Sequence, residues 1–213
     1  PYVTLDQGTH WLPWVEKDSS LLTGTSAWLD EGLAVHPQDS RTAFHVAPFR
    51  RTTDSGRTWH LFGDGVSGAR RHGRASIAVD AQQPARRLFF HTDTGAALTT
   101  NGGYSWVRAA PPQVTDGSLG CCGGTQTQPG GVFEPTPGSR RVISAVGNWV
   151  NQRLMMSDSE GLNEADGGTA WKAILRPGDG GLYLGSYRFF AWHPQVPAVV
   201  YAGLATGGLR SSD

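Results

Sequence analysis

The sequence predicts an all-β protein, a β-propeller built of four-stranded antiparallel blades, and three observations lead to that prediction. Glycine and proline are abundant, with 29 and 13 copies in 213 residues, which is typical of many short strands joined by tight turns. A short motif, Ser/Thr-x-Asp-x-Gly-x-x-Trp, recurs along the chain. Between its copies lie short apolar runs rich in β-branched and aromatic residues, the composition expected of strands.

The motif repeats at nearly regular intervals. Clear copies occupy Thr4–Trp11, Thr52–Trp59 and Thr99–Trp106, a looser copy is placed at 164–171, and a fifth begins at 211–213. The key Asp or Asn positions are 6, 54, 101, 166 and 213, so the intervals are 48, 47, 65 and 47 residues. Since a period of about 40–50 residues matches one four-stranded propeller blade, the longest interval is interpreted as a blade with an insertion.

The residue types of the motif suit a hairpin turn. Asp or Asn can fold back onto the backbone of its own turn, Gly supplies a positive φ, and Trp fills the space between neighbouring blades. The motif is therefore interpreted as a folding device rather than a ligand site. Its structural residues are Asp6, Gly8, Trp11, Asp54, Gly56, Trp59, Asn101, Gly103, Trp106, Asp166, Gly168 and Trp171.

Composition and charge exclude several classes of partner. The 18 basic and 18 acidic residues cancel, so the chain has no overall field with which to hold nucleic acid or an anionic membrane. No apolar run approaches the ~20 residues of a membrane span. The two cysteines are adjacent, which rules out a disulfide-framework fold. Neither a metal nor a cofactor is predicted, because the histidines lack ligand spacing and no Cys-x-x-Cys is present.

On these motifs the chain resembles the Asp-box or BNR repeat family, found in sialidases, xyloglucanases, sortilin-type domains and a photosystem assembly factor. The resemblance covers the whole chain and implies that residues 1–213 are one propeller segment of about four blades. A six- to eight-bladed propeller is expected, with the remaining blades elsewhere in the same protein. The resemblance also implies an exported protein, either secreted, periplasmic or on the cell surface.

In that family the box lies between the third and fourth strands, away from the ligand face. Ligands are therefore expected at the opposite face, formed by the loops leading into each blade and the loops between second and third strands. The first set lies near 12–31, 61–74, 108–130 and 173–187, and the second near 47–50, 92–97, 147–152 and 203–208. Glycoside hydrolysis needs two carboxylates that face each other across a cleft. Weak catalytic candidates on these loops are Asp30, Glu31, Asp64 and Asp116.

Other residues of the same predicted face have the chemistry of ligand binding. Arginine forks suit the carboxylates of sialic or uronic acids, and aromatic rings stack on sugars. The adjacent cysteines either close a vicinal disulfide, a flat platform for a planar ligand, or stay as thiols, or pair with cysteines elsewhere. Binding candidates are Arg70, Arg71, His72, Trp149, Tyr187, Arg188, Cys121 and Cys122.

Two functions follow as hypotheses. The first is a propeller that binds or hydrolyses glycans or another extracellular ligand, as a glycoside hydrolase of sialidase or xyloglucanase type if it is an enzyme. The second is a non-catalytic propeller that serves as a protein-interaction or assembly subunit. The Phe-Arg-Ile-Pro motif of the sialidases is absent from this chain, so a complete sialidase site is not predicted.

Overall fold

The computed structural model describes residues 2–4, 6–13, 33–46, 49–62, 75–91, 95–109, 127–147, 152–162, 171–175, 187–204 and 207–211. Every regular element in these ranges is a β-strand, and all strand pairs are antiparallel. The prediction of an all-β protein is confirmed. No helix in the described ranges is long and apolar enough to cross a bilayer.

The strands form a short hairpin and four larger sheets in chain order. The N-terminal hairpin pairs β1 (Tyr2–Val3) with β2 (Leu12–Pro13). Sheet 1 contains β3 (Leu33–Val35), β4 (Ala43–Val46), β5 (Phe49–Thr52) and β6 (His60–Leu61). Sheet 2 contains β7 (Ala75–Val79), β8 (Arg87–His91), β9 (Gly95–Thr99) and β10 (Val107–Arg108). Sheet 3 contains β11 (Thr127–Phe133), β12 (Val142–Gly147), β13 (Gln152–Ser157) and β14 (Lys172–Leu175), and sheet 4 contains β15 (Tyr187–Trp192), β16 (Val200–Leu204) and β17 (Gly207–Arg210).

The four sheets stand side by side. Within each sheet, neighbours in space are neighbours in sequence, so every connection between its strands is a hairpin. The first strands of adjacent sheets contact one another, β3 with β7, β7 with β11 and β11 with β15. Radial sheets with their first strands together are the arrangement of propeller blades.

The core lies between the sheets rather than inside any one of them. Each interface is a separate apolar cluster, because a single sheet has no second layer of its own to bury its faces. The buried members are Phe44 and Phe62 between sheets 1 and 2; Ala96, Leu98, Ala109, Val142, Met155 and Trp171 between sheets 2 and 3; and Ile143, Leu154, Phe190, Val200 and Ala202 between sheets 3 and 4.

Candidate functional site

The β5–β6 turn shows how the repeated motif folds. The hydroxyl of Thr52 accepts the backbone N–H groups of Asp54 (3.3 Å) and Gly56 (2.8 Å). The Asp54 carboxylate accepts the backbone N–H of Thr58 at 2.9 Å and its hydroxyl at 2.6 Å. Ser55 and Gly56 both have positive φ, 64° and 85°. Every one of these bonds spans two or four residues, so the turn is specified locally.

The same pattern occurs at residues 4–10 of the N-terminal hairpin and in the β9–β10 turn. In the latter, the Thr99 hydroxyl accepts the N–H of Gly103 at 2.9 Å. Asn101 takes the place of the aspartate: its Oδ1 accepts the N–H of Ser105 (3.0 Å), and its Nδ2 donates to the Ser105 hydroxyl (2.8 Å). A neutral amide therefore forms the same turn as a carboxylate.

This equivalence predicts the pH dependence of the β5–β6 turn. Hydrogen bonds from the Thr58 side chain and backbone lower the pKa of Asp54 to about 2. Since this folded-state pKa lies below the ordinary value of 3.8, the ionised turn stabilises the fold above about pH 4, and the stabilisation is lost as the pH falls through about 2. We expect Asp54→Asn to make stability less sensitive to acid over that window.

The measurement is the urea midpoint of wild type and Asp54→Asn at a series of pH values, followed by circular dichroism. Other carboxyl groups with lowered pKa, such as Asp39 and Asp158, titrate in both proteins. The informative quantity is therefore the difference between the two curves. Parallel curves from about pH 4 to about pH 2 would contradict this prediction.

The fourth turn lies earlier in the chain than the looser motif copy predicted. Between β13 and β14, the Ser157 hydroxyl accepts the N–H groups of Ser159 (3.1 Å) and Gly161 (2.7 Å). Glu160 and Gly161 have φ of 60° and 72°, the positions of positive φ in the other turns. The N–H of Glu160 donates to the carbonyl of Arg140 at 2.9 Å. Ser157–Gly161 therefore forms the turn, and Ser159 stands where the other copies have Asp or Asn.

The predicted turn residues Asp166 and Gly168 lie outside the described residues. The tryptophan of this copy, Trp171, follows Gly161 by ten residues instead of three. The insertion before Trp171, together with Ser159 in place of an Asp or Asn, explains why the motif was predicted too late in the chain.

Each motif tryptophan of sheets 2 and 3 docks on the preceding sheet. The ring of Trp106 lies 6.2 Å from that of Phe62, and the Trp171 Nε1–H donates to the Ala109 carbonyl at 3.0 Å. Phe62 and Ala109 occupy equivalent positions, each three residues after the motif tryptophan of its own sheet, Trp59 or Trp106. We call this position, three residues after the motif tryptophan, the indole seat. In sheets 1 and 2 it contacts the tryptophan ring of the next sheet.

Trp11 does not follow the expectation that every motif indole fills a gap between blades. Its side chain is 59% exposed, whereas Trp171 is 3% exposed. Among the described residues, the N-terminal hairpin pairs two strands, so its indole has less surface on which to pack. The expectation is corrected for this residue.

A groove of about 590 Å³ opens between sheets 3 and 4. Its lining is mainly apolar and includes Ile143, Leu154, Ile174, Trp192 and Leu209, with Arg141 and Arg210 also present. Ile174 follows Trp171 by three residues, the position of Phe62 and Ala109 in the earlier sheets. Ile174 is 42% exposed. The groove thus has the position and the apolar lining of an indole seat, although no sequence motif marks it.

A buried charge cluster joins sheets 2 and 3. The carboxylate of Glu160 is 3% exposed and forms ion pairs with Arg86 and with Arg140, the latter at 3.5 Å. Burial lowers the pKa of the Arg86 guanidinium. The Glu160 carboxylate is thus paired with the Arg86 guanidinium of sheet 2 and the Arg140 guanidinium of its own sheet, and removal of either arginine would leave a buried charge less well paired.

The histidines in the β15–β16 and β3–β4 turns accept hydrogen bonds from backbone N–H groups of their own turns. The Nδ1 of His193 accepts the N–H groups of Gln195 (3.1 Å) and Val196 (3.0 Å), and His36 does the same for Gln38 (3.2 Å). Among the described residues, no three His, Cys, Asp or Glu side chains are grouped so that they could hold a metal ion.

Most residues predicted to bind or act on a ligand lie outside the described residues: Asp30, Glu31, Asp64, Arg70, Arg71, His72, Asp116, Cys121, Cys122 and Trp149. Tyr187 and Arg188 are described in backbone and begin β15. The β15–β16 turn lies at the far end of that strand. Tyr187 and Arg188 are therefore at the end of sheet 4 opposite its first turn, on the side where the ligand face was predicted.

Comparisons with known proteins give fold-level matches. No family model matches the chain, and no curated protein matches it significantly in the search of their sequences. Among solved structures, a GH74 enzyme of Niastella koreensis matches at 19% identity and a TM-score of 0.56, over 81% of this chain and 24% of that one. The GH74 xyloglucanase of Xanthomonas campestris matches at 18% and 0.54, over 80% and 26%. A chain of a nidogen/laminin complex matches at 13% and 0.52, over 84% and 62%.

The protein has a β-propeller fold. The matches agree with the radial order of the sheets, and at these identities they show the fold alone. The chain spans about a quarter of the length of the GH74 chains it matches.

Proposed function

We propose that this chain is a segment of an exported, Asp-box β-propeller that binds glycans, as part of a glycoside hydrolase or of a glycan-binding protein. The observation that carries the proposal is the common orientation of the sheets. Their first strands meet and their motif turns occupy one end of the sheets, and we place the ligand at the opposite end. Convergent loops on a rigid β scaffold are where propellers and other repeat folds bind ligands.

The residue types of those loops support a sugar ligand. Residues 63–74 carry Asp64, Arg70, Arg71 and His72 among glycines, and residues 110–126 carry Asp116 and the cysteine pair. Guanidinium groups bind carboxylated sugars, and facing carboxylates are the groups that hydrolyse glycosides. The likeness to GH74 enzymes is consistent with this ligand class.

The same proposal includes a longer propeller of six to eight blades, in which residues 1–213 form a single segment of about four. The repeat intervals support a segment of about four blades, and the match to about a quarter of each GH74 chain is compatible with such a segment being part of a longer protein.

The first test measures glycan binding by the whole chain. Xyloglucan and sialylated or uronic-acid glycans are offered in affinity electrophoresis and calorimetry. Arg70→Ala combined with Arg71→Ala is expected to weaken binding of the acidic glycans by about tenfold or more, since a charge-assisted hydrogen bond contributes about 1.5–3 kcal/mol. The control is Arg57→Ala, an exposed residue of the β5–β6 turn at the other end of the sheets, and it should bind like wild type.

The second measurement is release of reducing sugar from the glycan that binds. If the segment carries the catalytic pair, Asp64→Asn and Asp116→Asn are each expected to lower turnover by about 10²–10⁴-fold without an equal loss of binding. Absence of binding to every glycan class, with the chain folded, would overturn the proposal.

A second candidate function is an interaction scaffold, with which one observation is compatible. Leu33 and Val35 on β3 are 48% and 57% exposed, although β3 also contacts β7 of the next sheet. Exposed apolar pairs of this kind occur at protein contacts. The likeness to a chain of a nidogen/laminin complex is compatible with such a role.

A further inference from the structure

We infer that the Ser157–Gly161 turn of sheet 3 depends on sheet 2 for its stability, because its carboxylate pairs across the boundary between the two sheets instead of bonding within the turn. The carboxylate belongs to Glu160, and its partner on sheet 2 is Arg86. The inference concerns how two sheets are joined at the end that carries the motif turns. It goes beyond the proposed ligand and does not rest on it.

The residue types of the turn provide the first argument. In the β5–β6 turn the Asp54 carboxylate accepts the N–H and the hydroxyl of Thr58, so the acid stabilises its own turn. Ser159 stands at that position in sheet 3 and has neither a carboxylate nor an amide. Its hydroxyl donates to the Leu162 carbonyl at 3.1 Å. The acid of this turn is the next residue, Glu160.

The backbone position of Glu160 provides the second argument. Its N–H donates to the Arg140 carbonyl at 2.9 Å, and the N–H groups of Ser55 and Gly102 make the equivalent bonds in sheets 1 and 2. The φ angles of Glu160, Ser55 and Gly102 are 60°, 64° and 74°. The backbone of the turn is therefore the same in all three sheets, and the side chain at this position is what differs. Ser55 is exposed, whereas Glu160 is buried.

The charges around Glu160 provide the third argument. Arg86 and Arg140 both pair with its carboxylate, but their side chains are 14% and 52% exposed. Water screens a half-exposed ion, whereas it cannot readily replace a partner that is lost in the interior. The charge of the buried Asp80 also acts on Arg86. Arg86 of sheet 2 is therefore the partner on which the buried carboxylate of sheet 3 depends.

Hydrogen exchange at single amides of the whole chain tests this dependence. The Gly161 N–H donates to the Ser157 hydroxyl at 2.7 Å, and the Gly56 N–H donates to the Thr52 hydroxyl at 2.8 Å, so the two amides report the opening of equivalent turns. We expect Arg86→Met to speed exchange at Gly161 by about 10²-fold or more, since removing one partner of a buried pair is strongly destabilising. Exchange at Gly56 should change by less than about threefold.

Arg140→Met is the matched control, because it removes an arginine from the same carboxylate and leaves sheet 2 intact. It is expected to speed exchange at Gly161 by about fivefold at most. If Arg86→Met does not fold, Arg86→Lys keeps the charge without the planar fork, and exchange at Gly161 should then be at least about tenfold faster than in wild type. Exchange that is no faster after substitution of Arg86 than after Arg140→Met would overturn the inference.

A local replacement for the missing group should reduce the dependence. Ser159→Asn introduces the amide with which Asn101 stabilises the β9–β10 turn, and it adds no third acid beside Asp158 and Glu160. In the Arg86→Met background, we expect it to slow exchange at Gly161 by about tenfold, the contribution of one or two hydrogen bonds. Failure of this rescue would contradict the inference, because a bond within the turn would not substitute for the contact with sheet 2.

A general loss of stability has a different outcome. If Arg86→Met speeds exchange at Gly161 and Gly56 by equal factors, the ion pair stabilises the whole chain and the inference is wrong. Glycan binding is proposed for the loops at the opposite end of the sheets, so its absence would leave these exchange rates unchanged.

Discussion

Replacing Trp171 with alanine is expected to lower the free energy of unfolding by about 3–5 kcal/mol. The side chain is 3% exposed and packs in the cluster with Leu98 and Met155. Its removal leaves a cavity between sheets 2 and 3 that rigid sheets cannot close. It also leaves the Ala109 carbonyl, which accepts the indole N–H at 3.0 Å, without that donor.

Equilibrium unfolding in urea measures this loss, and Trp11→Ala is the matched control. Trp11 occupies the same motif position but is 59% exposed, so its removal is expected to cost less than about 1 kcal/mol. Trp171→Phe keeps much of the volume and lacks the donor, and should fall between wild type and alanine. Equal losses for Trp171→Ala and Trp11→Ala would show that the inter-sheet seat contributes little.

Gly161→Ala is expected to be the second most damaging substitution, at about 2–5 kcal/mol. The residue has φ of 72°, a conformation that costs an L-residue about 1–2 kcal/mol. A Cβ built there would also lie 2.6 Å from the Ala109 carbonyl oxygen and 2.6 Å from the Trp171 ring. Overpacking against these groups adds about 1–3 kcal/mol, because both belong to the buried interface.

Gly138→Ala separates the two causes. Gly138 has φ of 78°, but a Cβ built on it would meet nothing within 4 Å. We therefore expect it to cost only the conformational share, about 1–2 kcal/mol. Thermal and urea unfolding measure the stability lost by each variant. The difference between the two losses is the cost of the steric contacts at Gly161. If both variants lose the same stability, the contacts at Gly161 relax without cost.

The close approach at Gly161 recurs one sheet earlier. A Cβ on Gly103 would lie 2.7 Å from the Phe62 ring, and Phe62 is the equivalent of Ala109. The motif glycine therefore has two roles: it permits the turn, and it lets the turn approach the preceding sheet. Only the first role was evident from the sequence.

The repeated turns were predictable because the hydrogen bonds that close each turn are local. Thr52, Asp54 and Gly56 bond within a span of four residues, so their spacing is visible in the sequence. The turn at Ser157–Gly161 was not recognised, because serine replaces the acid and the tryptophan follows after an insertion. Its hydrogen bonds still form, since the Ser157 hydroxyl accepts the same two N–H groups.

The candidate ligand site was predicted only as a set of loops. Tyr187 and Arg188 begin β15, and their role in binding remains a prediction, as do the roles of Asp64, Asp116, Arg70 and Arg71. Spacing along a chain does not show which loops face each other across an axis, because that depends on how adjacent sheets are packed.

The sequence by itself determined the all-β class and the turns of the three clear motif copies, since glycine and short-range hydrogen bonds act within a few residues. Only the tertiary structure decided which residues each motif tryptophan contacts and how far its ring is buried. Trp11 and Trp171 occupy equivalent motif positions, yet one is largely exposed and the other buried. The open groove beside Ile174 is likewise a property of two sheets in contact. The physical reason is that apolar burial depends on a neighbour distant in the chain, which no local pattern records.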